Sequence, residues 1–365
     1  MPLALGLLFL AGPAPPASAR LRRVGAGVGV AAGLALIATV AVWGPGQWRR
    51  LDALRFEANG ARLAARGDYA GAVKAFGRAL AAEPRRIEAL SQRAAAEAAM
   101  NRFDAALADI DAALRVAPQA IPLYVQRADI DRRRNAPAAA VADLDAALQR
   151  RPGEPEMLAL RAQARLEAGD AKGAHDDLAE ARARAPRDGL VQRVFAAYDV
   201  DVGDFDGALS QLNAALHENP RDAEAAFQRG RVWFYKDEPG LAFADFVRAD
   251  DKPAFLYPAL WAFLAEKRRR LDGAAALRER LAAAPGAWPA PVARMLLGDI
   301  GFEAGRAAAA DDGQRCEADF YFAMSRLGLD GADVSAGRMR AAVKQCPTGF
   351  IEHEGAKAEL LRLAR

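Results

Sequence analysis

The chain has 365 residues, 52% of them hydrophobic and 27% charged, which is ample apolar material for a large core. Its 50 basic and 47 acidic residues leave a net charge of +3 and are mixed along the chain. No basic block is available to track a phosphate backbone, which argues against nucleic acid as a partner. Aromatics make up only 7%, and alanine and arginine dominate over runs of Val, Ile, Thr and Tyr, so the composition is that of an all-α protein.

Residues 1–23 form an N-terminal extension or signal-like segment. Leu3 to Ala11 is apolar but too short to span a bilayer, and Ala17-Ser18-Ala19 resembles a signal-peptidase site although no basic residue precedes the apolar stretch. Val24 to Trp43 then runs without a charge between Arg20, Arg22 and Arg23 on one side and Arg49 and Arg50 on the other. A helix of that length rises ~30 Å, enough to cross the hydrocarbon core, and is the expected membrane anchor. Gly25, Gly29 and Gly33 share one face of it, so a homodimer could pack through them. The flanking arginines nearly balance and leave orientation open. Gly27-Val-Gly29-Val-Ala-Ala32 fits a loose dinucleotide pattern but follows no strand and has no ribose-binding acid, so no cofactor is assigned.

From residue 53 to 254 small residues recur with a 34-residue period. One column is Gly60, Ala94, Ala128, Ala162, Ala196 and Gly230; others are Ala72 to Ala242 and Ala79 to Ala249 at the same step. Pro84, Pro118, Pro152, Pro186 and Pro220 form a further column, with Pro253 one residue early. Large apolar residues fill a fifth: Phe76, Ile110, Leu144, Leu178, Leu212 and Phe246. Small residues let two antiparallel helices approach, and proline ends the second because it cannot donate or fit mid-helix. Turns such as Gly67-Asp68-Tyr69 and Gly203-Asp204-Phe205 join the pair. These six units resemble tetratricopeptide (TPR) repeats. The resemblance implies a right-handed superhelical solenoid of helix-turn-helix repeats whose first helices line a concave groove for peptides or partner proteins.

Two sets of residues follow from the register. Arg93, Arg127, Arg161 and Arg229 precede the small residue of the first helix, and Asp109, Asp143, Asp177 and Asp245 lie sixteen residues later, so an Arg–Asp ladder within or between repeats is predicted. Surface decoration is the alternative. The repeats with Asn59 and Phe195 in place of arginine carry Ala75 and Gln211 in place of aspartate. Val125, Asp129, Arg132, Phe227, Arg231, Phe234 and Tyr235 are the candidate groove residues, since aromatic and arginine side chains on an accessible wall anchor peptides. Packing against the neighbouring repeat is the alternative for several of them, and Trp233 is expected between helices. The Lys and Asn of a carboxylate clamp are missing: the corresponding pairs begin with Glu57 and Ala61 and end with Phe227 and Arg231.

After Pro253 the period loosens. Residues 255–313 read as degenerate helical repeats, with helices over 255–283, a connector from Pro285 to Pro291 and one helix from Val292 to Ala304. Residues 314–365 read as a TPR-like hairpin and a capping helix from Phe350 to Leu363. Cys316 and Cys346 fall at the start and end of that hairpin, where antiparallel helices bring them together. A disulfide there closes a loop worth roughly 3 kcal/mol and places the solenoid in an oxidising compartment; two buried thiols are the alternative. His175, His217 and His353 are scattered, so no metal site is assigned. Trp288-Pro-Ala-Pro-Val, Leu297-Gly-Asp-Ile, Phe320-Tyr-Phe and Phe350-Ile-Glu-His-Glu-Gly-Ala-Lys-Ala-Glu-Leu-Leu resemble the C-terminal part of NlpI-type bacterial TPR lipoproteins. That resemblance implies an adaptor on the periplasmic side of the envelope that brings proteases and cell-wall hydrolases together. There is no lipobox cysteine, so a transmembrane helix would substitute for the lipid.

No nucleophile elbow, phosphate loop or metal spacing is present, and Asp176-Asp177 and Asp311-Asp312 are adjacent acids rather than a converging pair. The expected function is a non-enzymatic adaptor anchored in the bacterial inner membrane with its repeats in the periplasm. The alternatives are a structural or assembly subunit of a membrane complex, or a cytoplasmic-facing TPR assembly factor.

Overall fold

The computed structural model describes residues 47–250, 255–283, 286, 288–327 and 329–364. Residues 1–23, the Val24–Trp43 segment with Gly25, Gly29 and Gly33, and Pro253 lie outside the described residues. Among the described residues there are helices and no strands, and no helix is long and apolar enough to cross a membrane. The chain divides into two compact units, one ending at Ala117 and one beginning at Pro118. The first contains α1 (47–65), α2 (Tyr69–Ala82), α3 (Ile87–Ala99) and α4 (Phe103–Val116). The second begins with four hairpins: α5 (Ile121–Arg133) with α6 (Pro137–Arg150), α7 (Pro155–Glu167) with α8 (Ala171–Arg184), α9 (Gly189–Asp201) with α10 (Phe205–Glu218), and α11 (Ala223–Tyr235) with α12 (Pro239–Ala249).

A small set of local devices builds the hairpins. Between the two helices of each, one residue has a positive φ: Gly67, Asn101, Asn135, Gly169, Gly203 and Asp237, spaced by the repeat. Glycine, asparagine and aspartate are the residues that enter this left-handed region at least cost. Asp68, Asp170 and Asp204 then cap the second helix, each accepting from the backbone N–H three residues on at 2.8–2.9 Å. Its other end falls two residues before Pro84, Pro118, Pro152, Pro186 or Pro220. The residue preceding each of these prolines is pushed out of the helical region, with φ between −128° and −139°.

Packing inside each hairpin follows a size rule. A Cβ built on Gly60 would meet the Phe76 ring at 2.6 Å, and one on Gly230 would meet the Phe246 ring at 2.7 Å. Where the large partner is Ile110, Leu144, Leu178 or Leu212, the small one is alanine, and all of these residues are buried. Fully burying each such leucine contributes ~1.5–3 kcal/mol relative to leaving it exposed.

Beyond α12 the second unit continues with α13 (Tyr257–Arg268), α14 (Ala274–Ala283), α15 (Ala290–Leu296), α16 (Phe302–Ala307), α17 (Asp312–Ser325), α18 (Ala332–Gln345) and α19 (Ile351–Leu363). The single helix predicted from Val292 to Ala304 is two short ones. Gly298, at φ +77°, ends α15 in the left-handed conformation, and the chain restarts as α16 after Gly301. Cys316 and Cys346 form a disulfide that joins the start of α17 to the end of α18, their Cα atoms 5.2 Å apart. Trp261 of α13 is fully buried, with the rings of Phe234, Tyr235, Phe246, Phe320 and Tyr321 around it.

Candidate functional site

The repeat register gives the first helices an equivalent position in each unit: 61 and 95 in the first, and 129, 163, 197 and 231 in the second. In the first unit Ala61 and Ala95 are exposed. In the second, Asp129 is exposed, Gln163 and Ala197 are half-buried, and Arg231 is buried. What covers the last of these is the chain's own C-terminal helix.

Helix α19 packs on α18 and also touches α11 and α17. Its approach begins at Thr348, whose hydroxyl donates to the Glu167 carbonyl at the end of α7, while Gly349 lies against the Glu167 side chain. Lys357 then pairs with Asp201 at the end of α9. Glu354 accepts from Arg231 Nη1 of α11 at 3.0 Å, and Glu359 accepts from Arg268 Nη2 of α13 at 2.5 Å. The terminal segment thus reaches four successive first helices. A small void beside Arg231 is lined by Ala197, Val200 and Glu354.

The candidate groove residues separate accordingly. Val125 and Asp129 remain on the uncovered stretch of α5, half-buried and exposed respectively. Arg132 is engaged by Glu167, with its Nε 2.9 Å from Oε2. Phe227, Phe234 and Tyr235, predicted as groove anchors, are corrected to core residues: they are 5%, 1% and 3% exposed. Phe227 packs against Phe246, Phe234 and Tyr235 against Trp261, and the Arg268 guanidinium lies 3.7 Å from the Phe234 ring centre. Trp233 is only partly buried.

Three acids are buried around this seat. Glu317 of α17 accepts from the Tyr257 hydroxyl and from Trp288 Nε1, both at 2.8 Å, yet burial still raises its pKa. Burial, then the charge of Glu317, lifts the Glu352 carboxyl to about 8. Tyr257 and Tyr321 are held well above the usual phenol value, first by burial and then by these acids. Glu359, fully buried, is shared by Arg268 and Arg362. Arg231 keeps its charge: burial opposes it, but the fields of Glu354, Tyr235, Glu224 and Glu352 outweigh that and raise its pKa.

The Arg and Asp columns meet in two-pronged pairs. Arg93 donates to Asp109 at 2.7 and 2.6 Å, and Arg127 to Asp143 at 2.8 and 2.6 Å. Arg161 donates to Asp177 at 2.9 and 2.6 Å, and Arg229 to Asp245 at 2.7 Å twice. Arg161 also reaches back to Asp145 of the preceding hairpin at 2.6 Å, and Arg229 to Asn213 at 2.8 Å. Where Phe195 replaces the arginine, the Arg182 guanidinium stacks over its ring at 4.3 Å. Among the described residues no cluster of acids, histidines and cysteines could hold a metal ion.

The seat of α19 had no signal in the period, because its partners come from α7, α9, α11 and α13 without a shared spacing. The repeated hairpin itself can be compared with known proteins. A tetratricopeptide repeat protein from Parabacteroides merdae superposes over 68% of this chain and 98% of its own, with a TM-score of 0.51 and 16% identity. This chain has the TPR fold. A thermophilic TPR protein of Thermus thermophilus is similar over 50% of this chain and 99% of its own, with a TM-score of 0.44 and 21% identity. No protein-family model and no curated protein sequence matches the chain. The NlpI-type resemblance of the C-terminal third of this TPR chain gains no support from these comparisons.

Proposed function

We propose that this chain is a non-enzymatic TPR scaffold that takes partner proteins or peptides on the uncovered part of its first helices. The observation that carries this reading is the exposure of the equivalent position at Ala61 and Ala95 in the first unit and at Asp129 in the second, beside Val125. A wall left open at this position is the surface on which a TPR fold offers side chains to a ligand. The proposal extends to location: an inner-membrane anchor over Val24–Trp43 and repeats in the periplasm. Its support is the uncharged run in the sequence and the Cys316–Cys346 disulfide, which suits an oxidising compartment.

A photo-crosslinking residue placed at Ala95 or Asp129 in intact cells is expected to capture a defined protein that the same residue at exposed Lys172 on α8 does not. Capture at neither Ala95 nor Asp129 would sink the scaffold reading. For location, protein taken from its native envelope should contain no free thiol before reduction. Two free thiols would move the repeats to a reducing compartment.

A further inference from the structure

The inner faces of α11 and α13 each carry an arginine withdrawn from solvent and aimed at α19. The Arg231 side chain is 8% exposed and that of Arg268 is 14% exposed. Glu354 and Glu359 meet them, five positions apart, which on a helix is a separation of ~7.5 Å along the axis. Between and beside these acids α19 presents small residues. Gly355 is so close to α17 that a Cβ would lie 2.8 Å from the Phe320 ring.

This is not how a helix simply covers an apolar face. The buried residues of α19 are Glu352, Gly355, Ala356, Ala358 and Glu359, while Leu361 points outward at 51% exposure. Apolar residues of similar volume would seal the face at less cost than two desolvated ion pairs. Charge at these positions instead decides which helix is accepted. The seat is also incompletely matched, since Arg231 Nε is buried beside Glu354 without a hydrogen-bond partner.

We propose that Arg231 and Arg268 form a socket for an acidic helix with a small-residue face, filled in cis by α19 and open in trans to a partner protein presenting such a helix. The socket is distinct from the uncovered face of the earlier repeats and does not depend on what that face binds. Besides its packing on α18, helix α19 is joined to it by the short linker 347–350, and the disulfide before this linker keeps α17 and α18 joined when α19 lifts. A ligand in trans sees its affinity reduced by the fraction of molecules whose socket is already filled.

The test uses the full chain and a fluorescent synthetic peptide with the sequence of residues 348–364. Glu354→Arg on the chain sets two arginines against each other and should free α19, seen as faster hydrogen exchange over Ile351–Leu363. The peptide should then bind at least ~10-fold more tightly than to the unaltered chain, and a peptide carrying the same Glu→Arg change should not bind. Combining Arg231→Glu with Glu354→Arg should reseat α19 and again exclude the wild-type peptide. Two results overturn the proposal: α19 as protected in Glu354→Arg as in the unaltered chain, or α19 released with no gain in peptide binding. If Glu354→Arg does not fold, Lys357→Glu, at a half-exposed pair, gives the same readings on a smaller scale.

Discussion

Two regions of the second unit both bury acids but pair them differently. In the hairpins α5–α12 the acids Asp143, Asp177 and Asp245 are buried, 7%, 4% and 5% exposed, and only their arginines reach the edge of the packing. Arg127, Arg161 and Arg229 are each partly exposed, and each meets an aspartate sixteen residues away. In α13–α19 the acids are buried too, Glu317, Glu352 and Glu359 at 7%, 2% and 0%, and the arginines that meet α19, Arg231 and Arg268, are themselves withdrawn to 8% and 14% exposure. Their region is held by contacts across 91 and 123 residues, Arg268 with Glu359 and Arg231 with Glu354. A repeated hairpin can reuse one cheap edge pair, because each copy sees only its neighbours. The terminal region makes each of its contacts once and places them where desolvation makes charge selective.

The sharpest way to separate the two regions is pH. Glu352 faces Glu317 and Tyr321 of α17, Tyr257 of α13, and Arg231 and Tyr235 of α11, and its carboxyl is raised from 4.5 to about 8. With the folded value above the unfolded one, the seated helix holds a proton that the free chain releases. Its stabilisation is therefore complete below about pH 4.5 and is lost as pH climbs through about 8. The whole change is on the order of 5 kcal/mol at most. Thermal melting between about pH 5 and pH 9 should show α13–α19 weakening with rising pH, and Glu352→Gln should flatten that slope. An unaltered slope in Glu352→Gln would assign the effect to another group.

Glu359→Ala comes next. It strips Arg268 of its buried acid and leaves the guanidinium with the Phe234 carbonyl and ring and with exposed Asp237 at 3.6 Å, for an expected loss of ~3 kcal/mol. Hydrogen exchange should rise over α13 and α19 and stay unchanged over α5–α8. A loss spread evenly over the unit would mean that the terminal region and the hairpins are not separable.

Much of the hairpin architecture is legible because it is local. The small, large and proline columns predict the paired helices, and the positive-φ column is visible too once Asn101, Asn135 and Asp237 are aligned with Gly67, Gly169 and Gly203. The Arg and Asp columns are sixteen residues apart, so the register alone brings them within reach. The candidate site was less legible. Phe227 packs on Phe246 of its own hairpin partner α12, whereas Phe234 and Tyr235 become core through Trp261 of α13, which lies outside the hairpin. No sequence period links Glu354 to Arg231 or Thr348 to Glu167. The break at Gly298 is similar: one glycine in an apolar helical pattern is tolerable inside a helix, and only its φ of +77° shows that the chain turns there.

The size rule in the hairpins predicts a smaller effect with a built-in control. Gly230→Ala pushes a Cβ into the Phe246 ring and should cost ~1–3 kcal/mol. Adding Phe246→Leu recreates the Ala–Leu combination that Ala128–Leu144, Ala162–Leu178 and Ala196–Leu212 use, and should recover most of the loss in thermal melting. If the double variant is no better than Gly230→Ala, the pairing is not what sets the approach of α11 and α12.

The smallest expected effect tests the edge pairs themselves. Arg127→Ala and Asp143→Ala each remove one side of a two-pronged contact, and the double variant removes both. The Arg127 side chain is 27% exposed but that of Asp143 only 9%, so solvent screens the pair in part, and a coupling energy of ~1–2 kcal/mol is expected from the cycle. Strict additivity of the three melting shifts would mean that Arg127 and Asp143 act separately, and the ladder would then be surface decoration. A coupling comparable to the loss in Glu359→Ala would erase the contrast from the other side, placing the edge pairs in the same buried class as the contacts that seat α19.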